Sequence, residues 1–310
     1  MKDETTKSPG IRTIGLTRKF GDVTAIDGLD LEIKRGELYG LVGPDGAGKT
    51  TIMRLFAAIL EPTRGEVFVC GLSTTTDGER IKELIGYMPQ KFGCYEDLTV
   101  MENINFYADV YDVPPKDLSG RVEKLLAFSN LTPFKSRLAG KLSGGMKQKL
   151  GLACALIHEP NVLFLDEPTN GVDPVSRRDF WKLLYDLWKG GMTIVFSTSY
   201  LDEAERCTRV ALLHKGRLLL EGTPAEIRAT VSGYMVEFGV NDTIGARNAV
   251  KGMAEVSGLT SYGDKLHVSA ADKLAAERVV GRLGAMGFAV TGVREIKPSI
   301  EDVFIASVGE

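Results

Sequence analysis

Eight consecutive residues of this 310-residue chain could hold a chain of phosphates. The stretch Gly43–Thr50 reads Gly-Pro-Asp-Gly-Ala-Gly-Lys-Thr and fits the pattern G-x-x-x-x-G-K-[ST] at each fixed position. Its glycines let backbone N–H groups point at phosphate oxygens, and the start of a helix adds partial positive charge. Lys49 would neutralise the β- and γ-phosphates, and the Thr50 hydroxyl would reach Mg²⁺. The alternative is a glycine-rich turn with a solvated lysine. The residues predicted to contact the nucleotide are Gly43, Pro44, Asp45, Gly46, Ala47, Gly48, Lys49, Thr50 and Thr51.

Two carboxylates follow an apolar run farther along the chain. Asp166 and Glu167 come directly after Val162-Leu163-Phe164-Leu165. An acidic residue at the end of a buried strand can hold Mg²⁺, directly or through water. The next carboxylate can then polarise an attacking water as a general base. The alternative is a solvated acidic turn closed by Pro168, but the phosphate loop favours the catalytic interpretation.

The pattern around these residues predicts an α/β fold. Short apolar runs bounded by Gly, Pro or charge alternate with helical patterns from Arg12 to about Ala229, which indicates a mainly parallel sheet. A helix over Ile52–Leu60 follows the phosphate loop, and Val100–Leu131 is strongly helical with an interruption at Pro114-Pro115. The predicted strands are Leu38–Val42, Val67–Val69, Val162–Leu165, Thr193–Phe196 and Val210–Leu213.

After Gly222-Thr223-Pro224 the pattern changes to that of a small α+β domain. Its order is β-α-β-β-α-β, the ferredoxin-like arrangement, with a short helix to follow. We therefore expect a cassette over residues 1–229, with a helical subdomain at about 95–155, and an accessory domain over 230–310. The predicted elements are Tyr234–Val240, Ile244–Met253, Val256–Ser261, Leu266–Ser269, Asp272–Met286, Phe288–Ile296 and Ser299–Ser307.

Composition narrows the functional classes. The net charge of −3 gives no basic footprint for nucleic acid. The cysteines at 70, 94, 154 and 207 lack metal-ligand or redox spacing, which is typical of reduced thiols in the cytosol. The longest stretch without Asp, Glu, Lys or Arg is Gly190–Leu201, and Leu283–Val293 is one residue shorter; both are far short of the about 20 apolar residues of a membrane span. The start is charged, so we expect a cytoplasmic protein that reaches any membrane through a partner.

A third motif indicates which protein family the chain resembles. Leu142-Ser143-Gly144-Gly145-Met146-Lys147-Gln148 lies between the phosphate loop and the carboxylates. It closely resembles the signature motif of ABC-type ATPases, and the resemblance covers about Arg12 to Ala229. It implies a P-loop NTPase fold that binds and hydrolyses ATP with Mg²⁺. It also implies that two cassettes pack head to tail. Residues Ser143, Gly144, Gly145 and Gln148 of one cassette would then complete the ATP site of the other.

The same resemblance implies roles for residues outside these motifs. Phe20 is where the family stacks an aromatic ring on adenine, and Gln90 matches the glutamine that contacts Mg²⁺ and the partner interface. Asp173, in Gly171-Val172-Asp173, matches the D-loop. Each residue has a plainer interpretation: Phe20 in the core, Gln90 in a surface loop, and Asp173 as a helix cap.

One position departs from the family pattern. After the strand Thr193–Phe196 the sequence reads Ser197-Thr198-Ser199, where the family usually has Ser-Thr-His. Ser199 thus takes the place of the switch histidine on the γ-phosphate. The histidines of the chain, His158, His214 and His267, lie elsewhere and are interpreted as ordinary surface or packing residues. We expect a site that binds ATP well and turns over slowly.

The end of the chain suggests the type of transporter. Lys297–Ile305 is similar to the Pro-x-x-Glu-Asp-Val-Phe ending of ATPases from ABC-2-type exporters. The expected partners are transmembrane permease subunits and a second cassette, on the cytoplasmic face of the membrane. The chain could also be half of a tandem ATPase. The alternatives are a soluble ABC ATPase acting on ribosomes or DNA, and a regulatory module with little turnover.

The helical region that begins at Val100 carries an apolar stripe. The stripe is equally consistent with a place in the core and with a groove, shared with Gln90 and Phe92, that receives a helix of a membrane partner. Its residues are Val100, Ile104, Tyr107 and Tyr111.

Overall fold

The computed structural model describes residues 9–91, 93–231 and 233–308. Phe92, a residue of the predicted groove, lies outside them. By their contacts the described residues form two compact units. The first comprises those up to Tyr200 together with Cys207–Leu219, and the second comprises Leu201–Arg206 together with those from Leu220 onward. The predicted division after residue 229 stays a prediction. No helix among the described residues has both the length and the apolar character needed to cross a bilayer.

The first unit contains two sheets. The central one has the order β10-β9-β3-β8-β7-β6, and the pairings from β9 across to β6 are parallel. The second is antiparallel with the order β2-β1-β4-β5. The strands are β1 (Ile11–Phe20), β2 (Val23–Ile33), β3 (Leu38–Val42), β4 (Arg64–Val69), β5 (Leu72–Ser73), β6 (Ile85–Met88), β7 (Val162–Asp166), β8 (Thr193–Thr198), β9 (Arg209–His214) and β10 (Arg217–Gly222).

The predicted α/β class is confirmed by the central sheet. Strands β3, β7 and β8 are buried along their whole length, as expected of parallel strands with both faces covered. The long hairpin of β1 and β2 is not among the predicted strands. The structure therefore adds an antiparallel layer to the mainly parallel sheet that the sequence indicates.

The helices of this unit differ from the predictions mainly at their ends. The helix after the phosphate loop begins at Lys49 and ends at Phe56, whereas the prediction was Ile52–Leu60; Ala58 has a φ of +53°, which is incompatible with a continuing helix. Pro115 begins α4, so the predicted interruption is confirmed. The helices are α1 (Lys49–Phe56), α2 (Gly78–Leu84), α3 (Val100–Val110), α4 (Pro115–Phe128), α5 (Gly144–Leu156) and α6 (Pro174–Lys189).

Two of the four residues of the predicted apolar stripe along α3 lie in the core. Val100 and Ile104 are 0% exposed and belong to a cluster shared with α4 and α5. They cannot contact a partner, so the groove interpretation is wrong for these two residues. Tyr107 and Tyr111 are only partly buried, at the edge of the same cluster. The capping box of Thr99 and Glu102 fixes where α3 begins.

The second unit has the predicted ferredoxin-like order. Its antiparallel sheet runs β12-β13-β11-β14, and Val236, Phe238 and Val240 of β11 face a core shared with α9 and α10. Helix α11 packs against α7 and α8. The elements are α7 (Leu201–Ala204), α8 (Pro224–Arg228), β11 (Tyr234–Val240), α9 (Thr243–Val250), β12 (Val256–Tyr262), β13 (Lys265–Ala270), α10 (Lys273–Ala285), β14 (Val290–Glu295) and α11 (Ile300–Val308).

Candidate active site

The phosphate loop joins the end of β3, an inner strand of the central sheet, to the start of α1. Gly43 donates its N–H to the Thr198 carbonyl (3.2 Å), which anchors the loop beside β8. Gly46 and Gly48 have φ values of +78° and +101°, a region that other residues rarely adopt. A Cβ at Gly43 would lie 2.3 Å from the carbonyl oxygen of Leu213. Backbone geometry alone therefore requires glycine at these positions.

Lys49 is a buried cation at the base of this loop. Its Nζ donates to the carbonyl oxygens of Gly43 (2.7 Å) and Pro44 (3.0 Å) and lies 3.0 Å from Glu167 Oε1. The residue is only 4% exposed. A buried charge is costly unless it is paired, and Glu167 supplies the pair. The solvated-lysine alternative is therefore wrong.

Glu167 is held at both carboxylate oxygens and at its backbone. Its Oε2 accepts hydrogen bonds from Gln90 Nε2 (3.0 Å) and Asn170 Nδ2 (3.3 Å). Its N–H donates to Ser197 Oγ (3.0 Å). Its φ is +49°, a left-handed conformation that costs a non-glycine residue roughly 1–3 kcal/mol and is concentrated at functional sites. Glu167 and Gln90, two predicted site residues from distant segments of the sequence, are thus in direct contact.

Asp166 is nearly inaccessible, and its two oxygens differ. Oδ1 accepts hydrogen bonds from Thr50 Oγ1 (3.1 Å) and Ser197 Oγ (2.8 Å). Oδ2 is buried and has no hydrogen-bond partner among the described residues. Burial raises the pKa of Asp166, and the bonds from Ser197 and Thr50 counteract part of that rise. An unpaired carboxylate oxygen beside a threonine hydroxyl can serve as a ligand for a hard cation.

The other predicted site residues lie on separate elements. The Phe20 ring, at the end of β1, is 45% exposed with the Arg18 guanidinium 4.6 Å from its centre, so it is not core. Ser143 caps the start of α5, where its hydroxyl accepts a hydrogen bond from the Met146 N–H (3.3 Å). Asp173 directly precedes α6 and accepts hydrogen bonds from the N–H groups of Val175 and Ser176, which is the helix-cap arrangement.

The signature glycines differ in their surroundings. Gly144 is exposed at the first position of α5, whereas Gly145 is buried against α6. A Cβ at Gly145 would lie 2.4 Å from Ser176 Cβ, so glycine permits the close approach of the two helices. Gln148 and Thr51 are partly buried on α5 and α1. Ser199 is partly buried directly after β8, the strand whose Thr198 carbonyl holds the phosphate loop.

Comparison with known proteins identifies the family of this chain. Residues 26–170 match the family model described as ABC transporter, and residues 222–308 match that of the C-terminal domain of DrrA1-3-like ATP-binding proteins. The daunorubicin resistance ATP-binding protein DrrA3 of Streptomyces coeruleorubidus is 32% identical over 96% of this chain and 95% of its own length. The chain belongs to the ATP-binding subunits of ABC transporters.

Other relatives extend this result. The Nod factor export ATP-binding protein I of Burkholderia lata is 34% identical over 94% of both chains. The probable multidrug ABC transporter ATP-binding protein YbhF of Escherichia coli is 52% identical over 221 residues, which are 71% of this chain but only 38% of that protein. Among solved structures, cbiO1 from Clostridium perfringens matches with a TM-score of 0.67 and 29% identity, over 72% of this chain and 92% of cbiO1. The predicted P-loop ATPase fold and the predicted ABC family are confirmed, and the match at residues 222–308 adds a DrrA1-3-like C-terminal domain.

The residues of this ABC cassette fit the groups that such ATPases bind. The glycine loop and buried Lys49 form a cradle suited to phosphates. The unpaired Oδ2 of Asp166, with Thr50 bonded to the other oxygen, is the donor set that Mg²⁺ prefers. Gln90, also predicted to contact the metal, donates instead to Glu167.

Sequence reasoning overlooked two residues that hold the acidic pair of the cassette. Ser197 contacts both Asp166 and the backbone of Glu167, and its position directly after the predicted strand Thr193–Phe196 was the available signal. Asn170 links Glu167 to Tyr200, whose hydroxyl lies 3.4 Å from Asn170 Oδ1. The sequence alone offers no signal for that contact, because Tyr200 lies 30 residues from Asn170.

Proposed function

We propose that this chain is the ATP-binding and ATP-hydrolysing subunit that energises an ABC-2-type membrane exporter. The observation that carries the proposal is the meeting of Lys49, Thr50, Asp166, Glu167 and Gln90 at the end of the central sheet. Related proteins are named for multidrug transport, daunorubicin resistance and Nod factor export, which supports export as the direction.

The geometry suggests how the site acts on ATP. The γ-phosphate competes with the Glu167 carboxylate for the Lys49 ammonium, because both anions can pair with this one buried cation. Glu167, released at Oε1, accepts the proton of an attacking water while Gln90 and Asn170 hold Oε2. Thr50 and Asp166 would hold Mg²⁺, which when bound neutralises charge developing on the phosphates.

A second cassette would complete the site. The exposed start of α5, with Ser143 and the Gly144 N–H, offers an anion site to the ATP of a partner. The exposed ring of Phe20 is available for stacking on adenine. Asp173 would lie at the interface between the cassettes. These roles follow the family arrangement in which two cassettes close head to tail on ATP.

A groove on the first unit suits the cytoplasmic helix of a permease. A cavity of about 750 Å³ lies against the stacked rings of Tyr111 and His158. Ile59 and Val110, which are 52% and 57% exposed, add apolar surface to its edge. The lining also includes the charged residues Glu79, Lys82, Glu83 and Asp112, and a groove with both apolar and charged walls suits an amphipathic helix. We assign the groove to the permease and the chain to the cytoplasmic face of the membrane.

The second unit is assigned to assembly or regulation of the cassettes. It matches the DrrA1-3-like C-terminal domain over residues 222–308. Among its described residues no group of three or more His, Cys, Asp or Glu side chains could hold a metal ion. Its α11 packs on α8, so a truncation that tests this assignment should end before α8.

Ser199 favours a variant of this function. Serine is short and cannot carry the positive charge of a histidine near the γ-phosphate. We propose that this cassette is the slow half of an asymmetric pair, whose Ser143 and Gly144 complete a faster partner site. A regulatory module with very little turnover is the second candidate, supported by the same residue.

Photo-crosslinking in cells tests the exporter assignment. A crosslinking amino acid at Val110 or Ile59 should capture a membrane protein, and the same group at exposed Val175 on α6 serves as the matched control. We expect a permease adduct from the groove positions only. Capture of ribosomal or DNA-bound proteins from Val110 and Ile59 would defeat the exporter proposal.

A further inference from the structure

Two buried thiols face each other in the first unit, outside the nucleotide site. The Sγ atoms of Cys94 and Cys154 are 3.8 Å apart, and both cysteines are free. Cys94 is 8% exposed and Cys154 is 2% exposed. A disulfide needs an S–S distance of about 2.05 Å, so the sulfurs must approach by roughly 1.8 Å. Spacing along the sequence gives no hint of this pair, because 60 residues separate its members.

The approach of the two thiols is built into the helices around them. Cys154 lies on α5, whose position is fixed by packing on α3, α6 and β6. The backbone on either side of Cys94 is tied to α3. Tyr107 Oη donates to the Gly93 carbonyl (2.8 Å), and Asn103 exchanges two hydrogen bonds with the backbone of Tyr95. The facing thiols are thus a preorganised pair.

A small cavity is lined in part by both cysteines. Its volume of about 30 Å³ is lined by Cys94, Cys154, Tyr107 and Tyr111 among others. A cavity of this size holds about two water molecules, and hydrogen peroxide occupies a comparable space. Burial is the main cause that raises the pKa of Cys154, followed by its hydrogen bond with Cys94. Cys154 therefore stays protonated at neutral pH and reacts slowly with peroxide itself, which leaves the first attack to the more exposed Cys94.

We propose that Cys94 and Cys154 form a redox-modification site at which a peroxide converts the two thiols into a disulfide. The more exposed sulfur, that of Cys94, attacks one peroxide oxygen; the O–O bond breaks, Cys94 becomes a sulfenic acid and water leaves. The Cys154 sulfur then attacks the Cys94 sulfur, the S–O bond breaks and a second water leaves. The two thiols lose two electrons in total, and the peroxide gains them.

The bond would connect the two parts of the cassette that serve nucleotide. Cys94 follows Gln90 by four residues, and Gln90 donates to Glu167. Cys154 is on the helix that begins after Ser143. Drawing Cys94 toward α5 displaces the segment that positions Gln90. Displacements of about 1 Å in positioning groups can cost up to about 100-fold in rate, so we expect hydrolysis to fall by roughly tenfold. This inference goes beyond the proposed transport function.

Peptide mapping of the oxidised full chain tests the site directly. The reduced protein is exposed to hydrogen peroxide, digested without reductant and analysed by mass spectrometry. We expect one crosslinked peptide pair that contains Cys94 and Cys154, which disappears when dithiothreitol is added. Thiols that stay free, or a bridge to Cys70 or Cys207, would overturn the proposal. This readout does not depend on whether the chain hydrolyses ATP.

Variants connect the bridge to activity. Hydrolysis by the peroxide-treated protein should fall by about tenfold and recover with dithiothreitol. Cys94→Ser and Cys154→Ala should form no bridge and keep their rates in peroxide. Cys70→Ser, which removes the partly exposed thiol, is the matched control and should respond as the parent chain does. If the bridged protein hydrolysed ATP as fast as the protein with free thiols, the regulatory effect would be contradicted.

Discussion

The ammonium of Lys49 and the carboxylate of Glu167 form a buried ion pair, with Nζ 3.0 Å from Oε1. Both side chains are 5% exposed or less. The cation expected to bind the γ-phosphate and the base expected to act beside it therefore hold each other in place. Because each neutralises the other in a buried setting, removing either one leaves an unpaired charge.

Lys49→Ala should abolish tight binding of MgATP, because it removes the buried cation of the phosphate loop. Calorimetric titration with MgATP measures this loss. The variant also leaves Glu167 unpaired, so its free energy of unfolding should fall by about 3–5 kcal/mol. Lys189→Ala, at the exposed end of α6, is the control and should change neither quantity. Unchanged affinity in Lys49→Ala would mean that the phosphate loop does not bind nucleotide.

Ser197→Ala should make MgATP binding more sensitive to acid. Burial raises the pKa of Asp166, and the hydrogen bond from Ser197 opposes that rise, so its loss raises the pKa further. Mg²⁺ binds the ionised carboxylate, so affinity falls as the pH drops through the pKa of Asp166. The fall should begin at a higher pH in the variant than in the parent chain.

The measurement is the dissociation constant of MgATP across a series from neutral to mildly acidic pH. Ser129→Ala removes a buried serine that bonds only backbone carbonyls of α4, and its pH profile should match that of the parent chain. Coincident profiles for Ser197→Ala and the parent would show that Ser197 does not tune Asp166.

Motifs confined to one short segment could be predicted from sequence, whereas contacts between strands could not. The phosphate loop is recognisable because glycine, lysine and threonine serve one ligand within eight residues. Ser197 meets Asp166 only because β7 and β8 pair in register, with Asp166 opposite Ser197. That pairing depends on the strand order of the whole sheet. The same limit applies to the link from Glu167 through Asn170 to Tyr200.

The hairpin of β1 and β2 could not be recognised from the sequence, because its backbone is irregular. Its pairing shifts register between Thr13 and Leu16 and again before Arg18, and Gly15 and Gly28 have positive φ values. Bulges of this kind break the alternation that marks a strand in sequence. The second unit has strands with fewer register shifts, separated by turn residues such as Gly263 and Gly287, and its elements were predicted to within a few residues.

Glu237→Gln should lower the stability of the second unit near neutral pH, because it removes the stabilisation that comes from the ionised Glu237 carboxylate. The hydrogen bond from Lys265 is the main cause that lowers the pKa of Glu237 to about 2, with His267 and Arg294 adding to it. The unfolded value is about 4.3. A depressed carboxylate pKa stabilises the folded state fully above the unfolded pKa, and that stabilisation is lost as the pH falls from about 4.3 toward 2.

Thermal unfolding of both proteins across this range measures the effect. The difference in unfolding temperature between parent and Glu237→Gln should be constant near neutral pH and shrink below about pH 4. Glu277→Gln, whose side chain is 60% exposed on α10, should show no such trend. A difference that grows on acidification would contradict the assigned direction of the pKa shift.

Ser199→His should raise the steady-state rate of ATP hydrolysis by the isolated chain. Ser199 follows β8, whose Thr198 carbonyl accepts the Gly43 N–H of the phosphate loop, so an imidazole there lies beside the nucleotide site. Positioning and acid–base groups contribute roughly 10²–10⁴-fold in rate, and part of that, about tenfold or more, should return with the histidine. Ser199→Asn is the matched control, because its amide is polar but cannot carry the positive charge, and it should not raise the rate. Glu167→Gln should remove hydrolysis in either background, since the added imidazole still needs the base that Lys49 and Gln90 hold. Rapid hydrolysis by the parent chain that Glu167→Gln abolishes and Ser199→His leaves unchanged would contradict the slow-site proposal and favour a symmetric pair of active cassettes.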